Sequence, residues 1–258
     1  MILHPLNSPL QPKTTDYVPA WEAILRAQKS PSDEWLLVTQ ADHAALAGEM
    51  ARSMSGPDFP ALEPEVIRAI AVHDDGWKQV DTDGVPKTNA RNRPLSFLDE
   101  APADIFRAWQ GSIASGTGVA PIAGILVSEH FCRIARESSR AAGTPPETAQ
   151  ALTTFIEREL AQQEDLREQQ SRNAEQIESL VDVLQFFDLL SLYLCCGSQE
   201  NIGFPQRWNE KTFHLSREGD VCRLQPALFT RPTQFSIRAC KYPASDREST
   251  VTISVLVA

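Results

Sequence analysis

The chain predicts a mainly α fold with a small C-terminal antiparallel β appendage, and three observations predict it. Apolar residues recur at helical spacing in successive segments between residues 40 and 196. One of those segments, Val181 to Cys196, is apolar nearly all round, as a central helix would be. From Gly197 the texture changes to short runs such as Val221-Cys222-Arg223-Leu224 and Phe235-Ser236-Ile237-Arg238, set between Gly, Pro and Asp turns. These shifts divide the chain into an N-terminal extension (1–33), a helical domain (34–198) and a β-rich appendage packed on it (199–258).

Taken in order, Pro5, Pro9, Pro12 and Pro19 make residues 1–18 an extended arm, with a short helix behind it to about Gln28. Glu34 to Thr39 is a short strand-like run. Thr39-Gln40-Ala41-Asp42 resembles a capping box with Asp in place of Glu, and the alanines that follow carry a helix to about residue 54. Pro57 and Pro60 interrupt the chain. Glu63-Pro64-Glu65 then opens a helix that closes on His73-Asp74 and is ended by Gly76. From Lys78 to Pro102, Asp81, Asp83, Gly84, Pro86, Asn89, Asn92 and Pro94 argue for ~20 residues without regular structure, a candidate lid or binding loop. Its Lys78, Lys87, Arg91 and Arg93 could meet an anionic substrate or form a solvated charged surface. Further helices are predicted over about 103–112, 121–139 and 145–170, the last Glu- and Gln-rich with a thin stripe of Phe155, Ile156, Leu160 and Leu166. Ser115-Gly116-Thr117-Gly118 lacks the Gly-Lys-Ser/Thr of a phosphate loop and carries no signal.

Composition narrows the function classes. With 258 residues and 42% apolar content the chain can bury one sizeable core. A net charge of −10, with no Lys/Arg cluster longer than two, argues against a nucleic-acid surface. No run approaches the ~18 apolar residues of a membrane span, and the first residues lack a signal-peptide pattern, so a cytoplasmic protein is expected. Five cysteines without a CxxC spacing read as reduced core residues. The expected partner is a small molecule, with no nucleic acid and no membrane; a homodimer is allowed for.

Only five histidines occur, and three of them, His43, His73 and His130, sit on apolar helical stripes. Val66, Ile70 and His73 fall at i, i+4 and i+7, so the imidazole continues a buried stripe, while Asp74, ~100° further round, can still turn inward. Imidazole and carboxylate together suit divalent metals, although a His-Asp dipeptide also arises by chance. His43 lies in the first turn of its helix, where the plainer alternative is a packed neutral histidine. Gln40, three residues before it on the same face, could hold its second nitrogen or a substrate group. His130 is on the apolar side of its helix, with Glu129 beside it as a weaker ligand candidate; Glu157 or Glu164 could also turn inward. Asp188 lies in the all-round apolar helix with no Lys or Arg within reach along it. A carboxylate so placed must be neutralised, paired with a base or bound to a cation. Gln185, Ser191 and Cys195 line its side, and His214 belongs to the strands.

The order His43, His73-Asp74, His130, Asp188 resembles the HD superfamily of metal-dependent phosphohydrolases over roughly residues 34–198. Gln40-Ala41-Asp42-His43, His73-Asp74-Asp75-Gly76-Trp77, Ser128-Glu129-His130 and Asp188-Leu189-Leu190-Ser191-Leu192-Tyr193-Leu194-Cys195 are similar to a bacterial branch of HD-like proteins with no assigned substrate. The resemblance implies an all-helical, HD-like bundle in which His43, His73, Asp74 and Asp188 hold one metal, with His130 as a second-site ligand or substrate contact. Many members place Lys or an acid after His-Asp-x-Gly; Trp77 stands there here, which leaves the general acid or base unassigned. Two-metal members, including a di-iron oxygenase branch, use two further histidines, whereas this chain offers His130. The implied cofactor is one or two divalent ions among Mn, Zn, Fe, Ni and Mg. The first functional reading is hydrolysis of an anionic phosphoester or nucleotide-like molecule by metal-activated water, with Asp75 or Glu129 taking the proton and Gln40, Lys78, Gln185 and Ser191 contacting substrate. The alternatives are a non-catalytic metal-stabilised or ligand-sensing module, and a di-iron oxygenase in which a carboxylate replaces the missing histidine.

Overall fold

The computed structural model describes residues 1–7, 16–57, 59–81, 86–219, 221–244 and 250–258. Among these residues the helices are α1 (Ala20–Lys29), α2 (Gln40–Ser53), α3 (Pro64–Val72), α4 (Pro102–Val119), α5 (Pro121–Arg140), α6 (Pro146–Arg167) and α7 (Ala174–Cys196). The strands are β1 (Ile2–Pro5), β2 (Val18–Pro19), β3 (Trp35–Val38), β4 (Ile202–Trp208), β5 (Lys211–Glu218), β6 (Val221–Gln225), β7 (Thr233–Tyr242) and β8 (Thr250–Val257). All eight strands join one sheet in the order β1-β3-β7-β8-β6-β5-β4-β2. The pairings are antiparallel except β2 with β4 and β6 with β8, which are parallel.

This sheet overturns the expectation of a mainly α, all-helical, HD-like bundle with a small antiparallel appendage. It is mixed, it is large, and it takes strands from both ends of the chain. β3 pairs with β7 through Trp35–Tyr242 and Leu37–Cys240, and β1 pairs in turn with β3. Residues read as an extended arm are therefore sheet. The reason is that β1 is only four residues long and pairs with β3, within the strand-like run Glu34 to Thr39, whose own second partner β7 lies some two hundred positions further on, beyond the reach of any local periodicity. The exposed edge of β1 is blunted by Gln28, whose side chain accepts from the Leu3 N–H at 2.8 Å and donates to the Leu3 carbonyl at 2.9 Å, in the place of a further strand. Pro9 and Pro12 of the predicted arm lie outside the described residues.

Helix α7 is the axis of the molecule. It is capped by Asn173 and Gln176, whose side chains exchange hydrogen bonds with each other's backbone N–H, and it ends on Gly197 in the left-handed conformation at φ 71°. From Val181 onward it is buried at nearly every position, packed against α1, α2, α5, β1 and β4. Contrary to the sequence expectation, α7 is long and apolar enough by composition to cross a membrane; 78% of its apolar window is buried inside the protein.

Two glycines set the spacing around the site. A Cβ on Gly48 of α2 would collide with Ala71, so the absent side chain lets α2 and α3 cross at close range. Gly76 lies within a 3-10 turn, Asp75–Gln79, and a Cβ there would strike the Ala108 carbonyl of α4. Its N–H donates to Ser112 Oγ at 3.0 Å. Gly76 thus serves the close approach of the His-Asp turn to α4; α3 itself ends earlier, at Val72.

The loop read as a lid is tied to the sheet. The Phe97 N–H donates to the Met1 carbonyl at 2.8 Å, the Tyr242 hydroxyl donates to the Asn92 carbonyl at 3.1 Å, and the Arg93 guanidinium donates to the Gln28 carbonyl. Beside it lies a second small core of Met1, Leu3, Trp35 and Leu37 with Cys240 and Tyr242. Lys87 is held by Glu100 and Asp104. Asp83 and Gly84 of this loop lie outside the described residues.

Candidate metal centre

Three helices and one turn converge on a polar cluster in the core. Thr39 caps α2 through the Asp42 N–H (3.0 Å), which places His43 one turn in, facing α7 and fully buried. His73 caps α3 at the end of its apolar stripe, with Asp74 beside it, and Asp188 enters from the middle of α7. His43 Nε2 lies 2.9 Å from Asp74 Oδ2, and His73 Nε2 lies 3.3 Å from Asp188 Oδ1 and 3.9 Å from Asp74 Oδ2. Atoms of His43, His73 and Asp188 lie within 4.8 Å of one another, so the group could hold a metal ion.

The hydrogen bonds on the far side of each ring fix which nitrogen faces the cluster. The Ser191 hydroxyl lies 2.9 Å from the Asp188 carbonyl and 3.0 Å from His43 Nδ1. His73 Nδ1–H donates to the Ile70 carbonyl at 2.7 Å, because a carbonyl can only accept. Both Nε2 atoms therefore face the cluster, each against a carboxylate oxygen that can only accept, so each either holds a proton there or gives its lone pair to a cation. Donors about 2.1 Å from a common tetrahedral ion stand roughly 3.4 Å apart, and the observed separations bracket that value. The donor set of two imidazoles and two carboxylates fits a divalent ion of the Mn, Fe, Ni or Zn type.

The electrostatics ask for the same charge. Among the described residues no Lys or Arg pairs with Asp74 or Asp188, whose side chains are 8% and 12% exposed. Burial pushes the His73 imidazole down, but Asp74 and Asp188 outweigh it and raise its pKa to about 9. Burial likewise pushes Asp188 up, and His73 outweighs it, bringing that carboxyl to about 2. A proton on His73 thus supplies the positive charge when no ion does.

His130 of α5 stands at the edge of this group, its ring 5.4 Å from that of His73. Burial, opposed by Asp188 and reinforced by His73, pushes its pKa down to about 4, and its buried Nδ1 has no hydrogen-bond partner. Ser191, read from sequence as a substrate contact, instead orients His43. Asp75 turns to Lys78 (2.7 Å), and Glu129 turns to Arg136 (2.6 Å) and Gln163 (3.4 Å), so neither faces the cluster. Gln185 accepts from Arg133 at 3.1 Å. Gln40 is buried with its N–H on Asp81 at 2.7 Å and its Oε1 unpartnered. Sequence reasoning missed Asp81, which joins the end of the His-Asp turn to the start of the His43 helix; a lone acid in a loop gives no signal of it. His214 packs edge-on against Tyr17, with ring centroids 4.8 Å apart.

The model of one family, described as a protein of unknown function (DUF3891), matches residues 24–254. That description carries no activity and does not link the chain to the HD superfamily. No curated protein and no solved structure matches the chain. Because the match runs unbroken from α1 to β8, across helices and sheet alike, the chain belongs to the DUF3891 family.

Proposed function

We propose that the protein is a divalent-metal-dependent hydrolase acting on a small anionic phosphoester or nucleotide-like molecule. The observation that supports the reading is the pair of outward hydrogen bonds, between His43 and Ser191 and from His73 to Ile70, which turn both Nε2 atoms toward two carboxylates that no Lys or Arg among the described residues pairs with. His43, His73, Asp74 and Asp188 would hold the ion, in the order along the chain that resembles HD phosphohydrolases. A bound divalent ion would supply Lewis-acid polarisation of a substrate oxygen and a lowered pKa for water. His130, whose ring lies 5.4 Å from that of His73, would be the residue to accept or return a proton. Ser191 keeps His43 in one tautomer, and the surrounding apolar helices exclude bulk water.

A second reading is favoured by one observation: no ligand side chain is more than 12% exposed, as in a metal-stabilised or ligand-sensing module that performs no chemistry. Elemental analysis of protein purified without chelator, followed by phosphate-release assays on phosphomonoesters, phosphodiesters and nucleotides, separates the two. The proposal expects a bound redox-inert ion and turnover that chelation removes and metal restores. Bound metal with no turnover on the whole panel overturns hydrolysis in favour of the module, and two irons with oxidase activity point to the oxygenase instead.

A further inference from the structure

The polar residues of α7 form a winding stripe that leads from the surface to the cluster. Glu178, Asp182, Gln185, Asp188 and Ser191 follow one another at spacings of three or four residues, so each neighbours the next while the run winds about half-way round a helix that is otherwise apolar from Val181 onward. Exposure falls along it: the side chain of Glu178 is 75% exposed, that of Asp182 30% and that of Asp188 12%. Facing this stripe on α5, His130 and Arg133 are one turn apart, and they approach Asp188 and then Gln185 and Asp182, so the two helices run antiparallel along the seam. The Arg133 guanidinium lies across it. Nη1 donates to Asp182 Oδ1 at 2.5 Å and to Gln185 Oε1 at 3.1 Å, and Nη2 donates to the Glu178 carbonyl at 3.5 Å.

Packing alone would favour apolar side chains at a helix–helix seam, because desolvating an ion pair there returns little net stability. The charge balance is also one-sided. Carboxylates of Asp182, Glu129 and Glu178 lie 2.5, 3.9 and 4.0 Å from Arg133, and among the described residues Glu129 alone of the three has a second cationic partner, Arg136. The mouth of the seam is therefore acidic, a field that draws in cations.

We propose that divalent ions reach and leave the cluster along the α5–α7 seam, and that Arg133, bridging Asp182 and Gln185, is the removable plug that closes it. The inference rests on the metal reading of the cluster and adds to it the control of access. Arg133 touches no ligand atom, so it governs the rate of exchange and leaves the bound state unchanged.

The test loads the full chain with Zn(II) and follows its transfer to an excess of a chromogenic chelator. Arg133→Met, which keeps most of the side-chain volume, is expected to release Zn(II) at least about tenfold faster, a drop of about 1.4 kcal/mol in the exchange barrier. Asp182→Asn, which loosens the bridge while retaining Arg133, is expected to fall between that variant and the unaltered chain. Arg172→Met, which breaks the distant Arg172–Glu63 pair, is expected to leave the rate unchanged. Should Arg133→Met fail to fold, Asp182→Asn carries the test alone. Stoichiometric Zn(II) released at the unaltered rate from both variants overturns the plug and leaves the metal site standing. Failure of the unaltered chain to take up Zn(II) overturns both.

Discussion

Helix α5 separates two buried polar groups that differ in one respect. On one face, Ser128, Glu159 and Gln163 form a seam with α6 in which every charge is met from within the chain. Arg158 donates to Glu159 at 2.6 Å, Ser128 donates to the other oxygen of Glu159 at 3.2 Å, Gln163 donates to Ser128 at 2.9 Å, and Arg167 donates to Gln163 at 3.1 Å. On the other face, His130 looks onto Asp74 and Asp188, two carboxylates whose ion-pair partners among the described residues are imidazoles. Both groups are buried, so burial alone does not mark a site. What distinguishes them is the counter-charge: the seam is met by arginine, and the cluster is met by a proton on His73, in a place that a cation could take.

The largest expected effect would break this comparison outright. With free metal at a hundred times its dissociation constant, the cluster should stabilise the fold by about 2.7 kcal/mol, roughly 5–10 °C for a chain of this size. Asp188→Asn keeps the shape but removes an anionic ligand, so its melting temperature should no longer respond to Mn, Zn or Ni ions after chelator treatment. Equal metal-induced shifts in both proteins would show that Asp188 is a core polar residue with no part in binding. The next effect is smaller and tests orientation. Ser191→Ala frees His43 to choose its tautomer and should weaken metal binding by about 10–100-fold with the first-choice ligands intact. Unchanged affinity by competition with a chelator would remove Ser191 from the site.

A third change sharpens the comparison from the other face. Glu159→Gln in the α5–α6 seam strands Arg158 without its carboxylate and should lower stability by about 1–3 kcal/mol in denaturant unfolding. Metal affinity should stay as it was. A loss of metal binding in this variant would mean that the two groups are coupled through α5, and the contrast between them would not hold.

The same contrast explains what could be read from the sequence. The cluster was legible because each ligand is an anomaly on its own element: histidines on apolar stripes, and Asp188 on a helix with no base near it in sequence. Helical spacing turns such anomalies into directions, and the structure brings His43, His73, Asp74, His130 and Asp188 together. Asp75 and Glu129 were not legible as paired residues, since the arginine or lysine that claims each could be weighed only against a site whose position was unknown. The sheet was hidden for a different reason. Ile2-Leu3 is too short to show alternation and becomes a strand by pairing with Leu37 and Val38, while the strand-like run Trp35-Leu36-Leu37-Val38 carries no local sign that its other edge pairs with Cys240 and Tyr242 some two hundred residues on.

The last prediction is a gradient with pH, and it is the smallest per step. In the metal-free protein, Asp74 and Asp188 hold the His73 pKa at about 9, above the 6.5 of an unperturbed imidazole. A folded pKa above the unfolded one means that the bound proton stabilises the fold. That contribution is fully present below pH 6.5 and is lost as pH rises through about 9. The slope cannot exceed about 1.4 kcal/mol per pH unit, because one proton is involved. In the metal-loaded protein the ion replaces this proton, and stability should be nearly flat across the same window, so the stabilisation by metal should grow between pH 6.5 and 9. Asp188→Asn removes one of the two charges that hold the proton and should flatten the metal-free curve. Thermal melts of the metal-free and loaded protein at pH 6, 7.5 and 9 make the comparison directly, and parallel curves would mean that proton and metal do not compete for the same place.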